Sequence, residues 1–327
     1  MRKSFLLIGL TFLLCGCEKE DLPPYHEILD SYIISCPEPP IEIMSNVDAE
    51  AASRNEISLN YFSIVQLKVD LFYMYYEAFR EHINDFEQAV CFAFSNDGIH
   101  WERAFPNRTD EDNVVIPNNI SGVSVILVSD KENPFRMFGY CKKESGYALF
   151  MWKSNDGFSF KEKKEILSGV FDTQSVGVQK GNLIKLYTRQ KEQNGMNRKI
   201  AVAYIDMDGN VIDSPKVLQD NYVYNSAASI FTEKYDLLFP TIFQGEISGS
   251  DYAYVKTLMV EDYSSKSIEC NINDWITDSE PWMIVSPGIF TINGEKYISY
   301  YTRSWSHNSI KPVGGVCKYN LLNIHIE

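Results

Sequence analysis

Three carboxylates and a group of hydrogen-bonding side chains fall where strand ends would bring them together. Asp172 stands just ahead of the run Ser175–Val178, Glu77 directly follows Leu71–Tyr76, and Glu246 lies in a loop between Gly245 and Gly249. Carboxylates grouped in this way can protonate a leaving oxygen, activate water or attack carbon. Asp172 is read as general base or nucleophile, and Glu246 or Glu77 as general acid. Arg189, Arg303 and Asn225 offer donors to hydroxyls or a carboxylate, with Gln174 and His307 as further polar contacts and Trp282 as a flat apolar face. Arg189 and Arg303 each close a Tyr-Thr-Arg triplet, Tyr187-Thr188-Arg189 and Tyr301-Thr302-Arg303, a pairing expected of residues that share one pocket. Each residue also has a plainer reading: Asp172 as a turn cap, Glu77 as an edge charge, Glu246 as a loop charge and His307 as a surface histidine.

The elements that must position these residues are announced by a repeat. Ser95-Asn96-Asp97-Gly98-Ile99-His100-Trp101 recurs as Ser154-Asn155-Asp156-Gly157-Phe158-Ser159-Phe160, and more weakly as Ile205-Asp206-Met207-Asp208-Gly209. Self-similarity at a period of roughly fifty to sixty residues points to a radial or stacked array. Short apolar and aromatic runs precede each turn, among them Leu71–Tyr76, Ala89–Phe94, Phe135–Tyr140, Tyr147–Trp152, Leu183–Thr188 and Lys199–Tyr204. With aromatic residues at 13% and no long 3.6-residue periodicity, the chain reads as all-β. Five units of three or four antiparallel strands can close as a five-bladed β-propeller, which disposes of long sheet edges; a pair of β-sandwiches is the alternative.

In such a ring the first strand of each unit starts at the pocket face and the second returns to it. The entering positions are Asn60–Ser63, Gly122, Asp172–Gln174, Tyr224-Asn225 and Trp282–Ser286. The returning ones are Glu77 with Arg80, Tyr140, Arg189, Gln244 with Glu246, and Arg303 with His307. The repeated Asp97 and Asp156 are read as turn carboxylates remote from that pocket.

A formal net charge of −14 excludes the clustered basic surface that nucleic acid requires. Met1-Arg2-Lys3, the apolar run Ser4–Leu14 and Leu14-Cys15-Gly16-Cys17 make a signal peptide, too short to span a bilayer, that ends like a bacterial lipobox. Residues 1–17 are assigned to it, with Cys17 as the acylated residue. Glu18-Lys19-Glu20-Asp21 resembles the acidic tags of Bacteroidetes surface lipoproteins. The expected location is therefore the bacterial outer membrane, lipid-anchored, on the cell-surface or periplasmic side. Residues 18–55, rich in proline, are expected to tether or overlie a propeller of residues 56–327. Cys36, Cys91, Cys141, Cys270 and Cys317 match no zinc spacing, and Cys91 and Cys141 sit in apolar runs as buried thiols.

Phe94–Trp101, the stretch Val125–Arg136 with Asp130 and Asn133-Pro134-Phe135-Arg136, and Asp172-Thr173-Gln174-Ser175 resemble the five-bladed propellers of glycoside hydrolase families 43 and 32 over about residues 55–327. The Ser-x-Asp-Gly-x-x-Trp element is also similar to the Asp box of sialidases, one residue shorter. The resemblance implies a glycosidase acting on an oligo- or polysaccharide as a monomer, without a cofactor or catalytic metal and with room for a structural calcium ion. Family 43 places acids at inner positions of separate blades. Here those positions hold Ser63, Gly122 or Ser124, and Asn225, so a non-catalytic glycan-binding propeller stays open. So does a sialidase-like enzyme using Arg189, Arg198 and Arg303.

Overall fold

The computed structural model describes residues 32–82, 85–106, 112–117, 120–144, 146–169, 174–191, 198–219, 223–225, 228–230, 235–243, 253–277, 282–303 and 316–327. The N-terminal part supplies β1 (Ile33–Ser35), β2 (Ile41–Ser45) and the short helix α1 (Ala49–Ser53). Unit one follows as β3 (Glu56–Lys68), β4 (Leu71–His82), β5 (Asp85–Ser95) and β6 (Val114–Ile116). Unit two is β7 (Ser121–Leu127), β8 (Phe135–Lys143), β9 (Gly146–Ser154) and β10 (Lys161–Ser168). Unit three is β11 (Val176–Lys180), β12 (Leu183–Lys191), β13 (Arg198–Asp206) and β14 (Val211–Gln219). The fourth holds β15 (Val223–Asn225), β16 (Ala228–Ile230), β17 (Asp236–Leu238), β18 (Thr241–Phe243), β19 (Ala253–Val255), β20 (Leu258–Glu261) and β21 (Ser264–Ser267). After β22 (Glu269–Cys270) and a 3₁₀ turn (Ile272–Trp275), the fifth unit has β23 (Trp282–Ile292), β24 (Glu295–Arg303) and β25 (Cys317–Asn323), and β26 (His325–Ile326) ends the chain.

Each unit is an antiparallel meander, and the sheets stack face to face in a β-propeller. Stacking buries both faces of the central strands, so Phe72–Ala78 is buried throughout and reads as an unbroken apolar and aromatic run with Glu77 inside it. The first strands β3, β7, β11, β16 and β23 lie against one another in cyclic order.

The sheets do not number five. The ring is laid down as six, because unit four divides into one sheet ordered β15-β18-β19 and another ordered β16-β17-β20-β21. The break has a local cause. Pro240, between β17 and β18, has no N–H to donate, and the ladder resumes through the Lys256 amide, which donates to the Pro240 carbonyl at 2.9 Å.

The second departure concerns the expected tether. β2 pairs with β25 as the outer strand of the sheet β2-β25-β24-β23, so the N-terminal segment and the last unit share one sheet. Pro37, Pro39 and Pro40 fall between β1 and β2 and interrupt neither. The buried Arg103 fixes this segment: its Nη1 and Nη2 reach Asp48 at 2.6 and 2.9 Å, Nη2 donates to the Ser45 carbonyl, and Nε lies 3.1 Å from Glu56 Oε2.

The repeated turns are interlocks. Ser95 Oγ accepts from the Gly98 amide, while Asp97 Oδ1 accepts from the amides of Ile99 and His100, both at 2.8 Å. Ser154 and Asp156 repeat this bonding on Gly157, Phe158 and Ser159. In the third copy Asp206, rather than Asp208, accepts from the amides of Asp208 and Asn210. Tyr75 of unit one donates to the Gly157 carbonyl at 2.9 Å, and Gly98 abuts Ile292 of the fifth unit. Burial pushes the Asp97 carboxyl up, but the hydrogen bonds from His100, Ile99 and Ser95 together outweigh it and hold the carboxyl below the ordinary range.

Gly98 has φ +79°, and a Cβ there would lie 2.7 Å from Ile292 Cδ1; Gly294 has φ +90° and open space around it. Both positions strain an L-residue, but only Gly98 is packed between units. Gly98→Ala is expected to cost roughly 2–4 kcal/mol and Gly294→Ala about 1 kcal/mol in urea unfolding. Equal losses would contradict the interlock.

Candidate functional site

First strands begin, and second strands finish, at one end of the ring. At this end β23 and β24 place Trp282 and Arg303 as cross-strand partners. Arg303 Nη2 crosses to unit one and donates to the Leu59 carbonyl at 2.8 Å and to Asn60 Oδ1 at 2.7 Å. Asn60 is the hub of the contact. Its Nδ2 donates to Glu77 Oε2 at 3.1 Å, and its carbonyl accepts from the Tyr319 hydroxyl at 2.7 Å.

Glu77 is neither an edge charge nor open to solvent. It is fully buried, and Oε2 also accepts from Gln88 Nε2 at 2.7 Å. Its Oε1 accepts from the Val123 amide at 2.8 Å, and the Gly122 amide adds a further hydrogen bond. Those two amides belong to an irregularity in the β7–β8 register between Ser121 and Ser124, where Gly122 has φ +70°. A bulge leaves amides without ladder partners, and Glu77 supplies an acceptor. Burial pushes its carboxyl up to about 8, while the amide and side-chain donors pull the other way.

The polar arc continues into unit three. Tyr140, paired with Ser121 across the β7–β8 ladder, brings its hydroxyl to 2.9 Å from Ser175 Oγ and 2.6 Å from Thr188 Oγ1. Ser175 Oγ closes the triangle to Thr188 Oγ1 at 2.9 Å. Gln174 precedes Ser175 and Arg189 follows Thr188, and both are buried. Among the described residues the Gln174 amide has no hydrogen-bond partner at either atom, although burying one unmet costs about 1–3 kcal/mol.

The described inner positions of units one and two, Ser63 and Ser124, carry no acid. Ser63 Oγ donates to the Val125 carbonyl at 3.2 Å and accepts from the Val125 amide at 3.1 Å, and Ser124 Oγ donates to the Ser175 carbonyl. These serines join neighbouring first strands instead of facing a ligand.

Of the residues expected at the site, Glu77, Gln174, Arg189 and Arg303 are brought to this end. Asn225 and Trp282 lie in β15 and β23 at the same end, their side chains outside the described residues. Asp172, Glu246, His307 and Cys17 fall wholly outside them, as does the side chain of Arg198. Asn60 was expected among the entering positions without a role, and Gln88 carried no signal. Among the described residues no group of three or more His, Cys, Asp or Glu is placed to hold a metal ion, and no helix is long and apolar enough to cross a membrane.

A cavity of about 570 Å³ opens at the opposite end, among Ile64–Gln66, Val125–Leu127, Gly177–Gln179 and Pro287–Ile289. Among the described residues its lining offers two amide side chains and no ionisable group. Both amides are engaged: Gln66 exchanges hydrogen bonds with the Thr291 backbone, and Gln179 with Ser129.

No family model and no curated protein sequence matches the chain. Among solved structures it is similar to an N-acetylgalactosamine deacetylase from F. plautii, with a TM-score of 0.60 at 8% identity over 88% of this chain and 94% of that one. It is also similar to a β-1,2-mannobiose phosphorylase from Listeria innocua, with a TM-score of 0.61 at 10% identity, covering 81% and 89%. An α-L-arabinanase from Cellvibrio cellulosa gives 0.53 at 9% identity, covering 83% and 93%. At these identities the likeness is one of fold.

The enclosure of Glu77 has a consequence for stability. Its carboxyl is raised from 4.5 to about 8, so the protonated form suits the folded state better. The stabilisation it gives is complete below the unfolded value and lost as pH rises through about 8. The melting temperature of the wild type, less that of Glu77→Gln, should therefore fall as pH rises across this window. A flat difference would show that Glu77 does not titrate there.

Proposed function

We propose that the protein is glycoside hydrolase-like and takes an oligo- or polysaccharide at the end of the propeller where the first strands begin. The observation that carries this reading is the hydrogen-bonded arc Arg303–Asn60–Glu77–β7 bulge, continued by Tyr140–Ser175–Thr188 with Gln174 and Arg189 beside it. Sugars are bound by planar donors, amides and aromatic faces held rigid before the ligand arrives. The unmet Gln174 amide is a group that a sugar hydroxyl would satisfy. The similar structures named for a deacetylase, a phosphorylase and an arabinanase agree in having a carbohydrate-directed name and differ in reaction. The fold therefore supports the substrate class better than the chemistry.

In this reading Asp172 is the general base or nucleophile and Glu246 the general acid. Glu77 holds Asn60 and the β7 bulge, and through Asn60 orients Arg303; its enclosure suits positioning better than proton transfer to a substrate. Arg189, Arg303, Gln174, Asn225, Trp282 and His307 contact the sugar. The two sheets of unit four are read as one blade interrupted at Pro240, which would make the ring five-bladed. The protein acts as a monomer held to the outer membrane through acylated Cys17.

A second reading has a specific observation behind it. Ser63 and Ser124 are committed to joining strands, so the inner positions of units one and two supply no acid, and a glycan could be bound without being cleaved. A polysaccharide-release screen with parallel binding measurements separates the two. The hydrolase reading expects release by the wild type and a loss of roughly 10²-fold or more in Asp172→Asn, with binding kept. Binding without release by the wild type would leave the glycan-binding reading.

A further inference from the structure

We infer that Cys36 and Cys270 are a dithiol pair that closes to a disulfide and latches the N-terminal strand onto the propeller. β1 and β22 pair in parallel, Ile33 with Glu269 and Ile34 with Cys270, and β1 also pairs with β26 at the C-terminus. Just beyond this pairing the backbone at Cys36 is clamped. Its amide donates to Asn271 Oδ1 at 2.7 Å, and its carbonyl accepts from Trp275 Nε1 at 3.3 Å. Both side chains pack into one apolar cluster with Ile34, Ile272 and Ile324, and each thiol shifts the ionisation of the other.

Their environments differ in the sense that disulfide exchange needs. Cys36 is 1% exposed, whereas Cys270 is partly open to solvent. Cys270 Sγ faces three donors, the Cys36 thiol, the Thr257 hydroxyl and the Ile272 amide, which draw its thiol down to about 7 against burial. The hydrogen bond to Cys270 and burial both push the Cys36 thiol up. Cys270 is the attacking thiolate, and Cys36 is the thiol that resolves.

The oxidant is a disulfide, small-molecule or protein-borne. Cys270 thiolate attacks one of its sulfurs, forms a mixed disulfide and expels the other as thiolate. Cys36 then gives up its proton and attacks Cys270 Sγ, expelling the second thiolate. Two electrons pass to the oxidant's sulfurs, and the protons lost by the two cysteines are taken up by solvent or the departing thiolates. The new bond ties residue 36 to residue 270, beside the turn that leads into β2. The cross-link keeps the start of β2 close to the propeller even when its ladder to β25 opens.

The test uses the full chain in mixtures of oxidised and reduced glutathione, with differential alkylation, peptide mass mapping and thermal melting. The expected result is a Cys36–Cys270 linked peptide in oxidising buffer. With it, the melting temperature should stand roughly 5–10 °C above that of the reduced protein, a gap absent in Cys36→Ser and Cys270→Ser. Full alkylation of both cysteines in oxidising buffer, pairing of Cys270 with another cysteine, or equal melting with and without reductant would overturn the proposal. Mapping of the wild type gives its answer whether or not the serine variants fold.

Discussion

A ring of separate sheets leaves the inner edge of every first strand without a neighbouring ladder, and the rest of this molecule is arranged around that shortage. Buried amides and carbonyls must find partners, because each one left unmet costs more than an ordinary hydrogen bond returns. Side chains of the first strands meet the need. Ser63 serves both backbone groups of Val125, Ser124 reaches Ser175, and Gln66 serves both backbone groups of Thr291 in the preceding unit. Gln179 accepts from the Ser129 amide and donates to the Ser129 hydroxyl, and Thr241 donates to the Met283 carbonyl at 2.7 Å. Glu77 belongs to this set, since it accepts from the amides that the β7 bulge releases.

That commitment shapes the site. Short hydroxyl side chains that join strands cannot also be acids facing a ligand, so in the proposed reading the inner surface provides rigidity and the strand ends the chemistry. Arg303 is aimed by Asn60, Asn60 by Glu77, and Glu77 by the bulge whose amides it satisfies. Specificity built this way depends on the register of three neighbouring units. The cavity at the opposite end is a by-product of the same stitching, lined by inner strands whose polar side chains are already paired.

The β architecture was legible because the relevant interactions are local. Ser95-Asn96-Asp97-Gly98 specifies a turn through hydrogen bonds spanning two or three residues, and stacking between sheets produces the apolar runs that mark strands. Unit four was misread because its passes shrink to three residues around Pro240, too short for any periodicity. Residues 33–45 looked irregular because prolines dominate the composition, while the partners of β1 and β2 lie at the far end of the chain. Counting strands places Arg189, Arg303 and Gln174 at one end of the ring, where the structure has them. It misses Gln88, because the reason for its position is a buried acid on the neighbouring strand.

The central claim is that ligand binds where the first strands begin and not in the cavity at their far ends. A crystal structure of the protein soaked with pooled plant and host oligosaccharides tests it most directly. The account predicts sugar density within hydrogen-bonding distance of Arg303 and Gln174. Density seated instead among Gln66, Gln179 and Gly288, with the Arg303 end unoccupied, would contradict it.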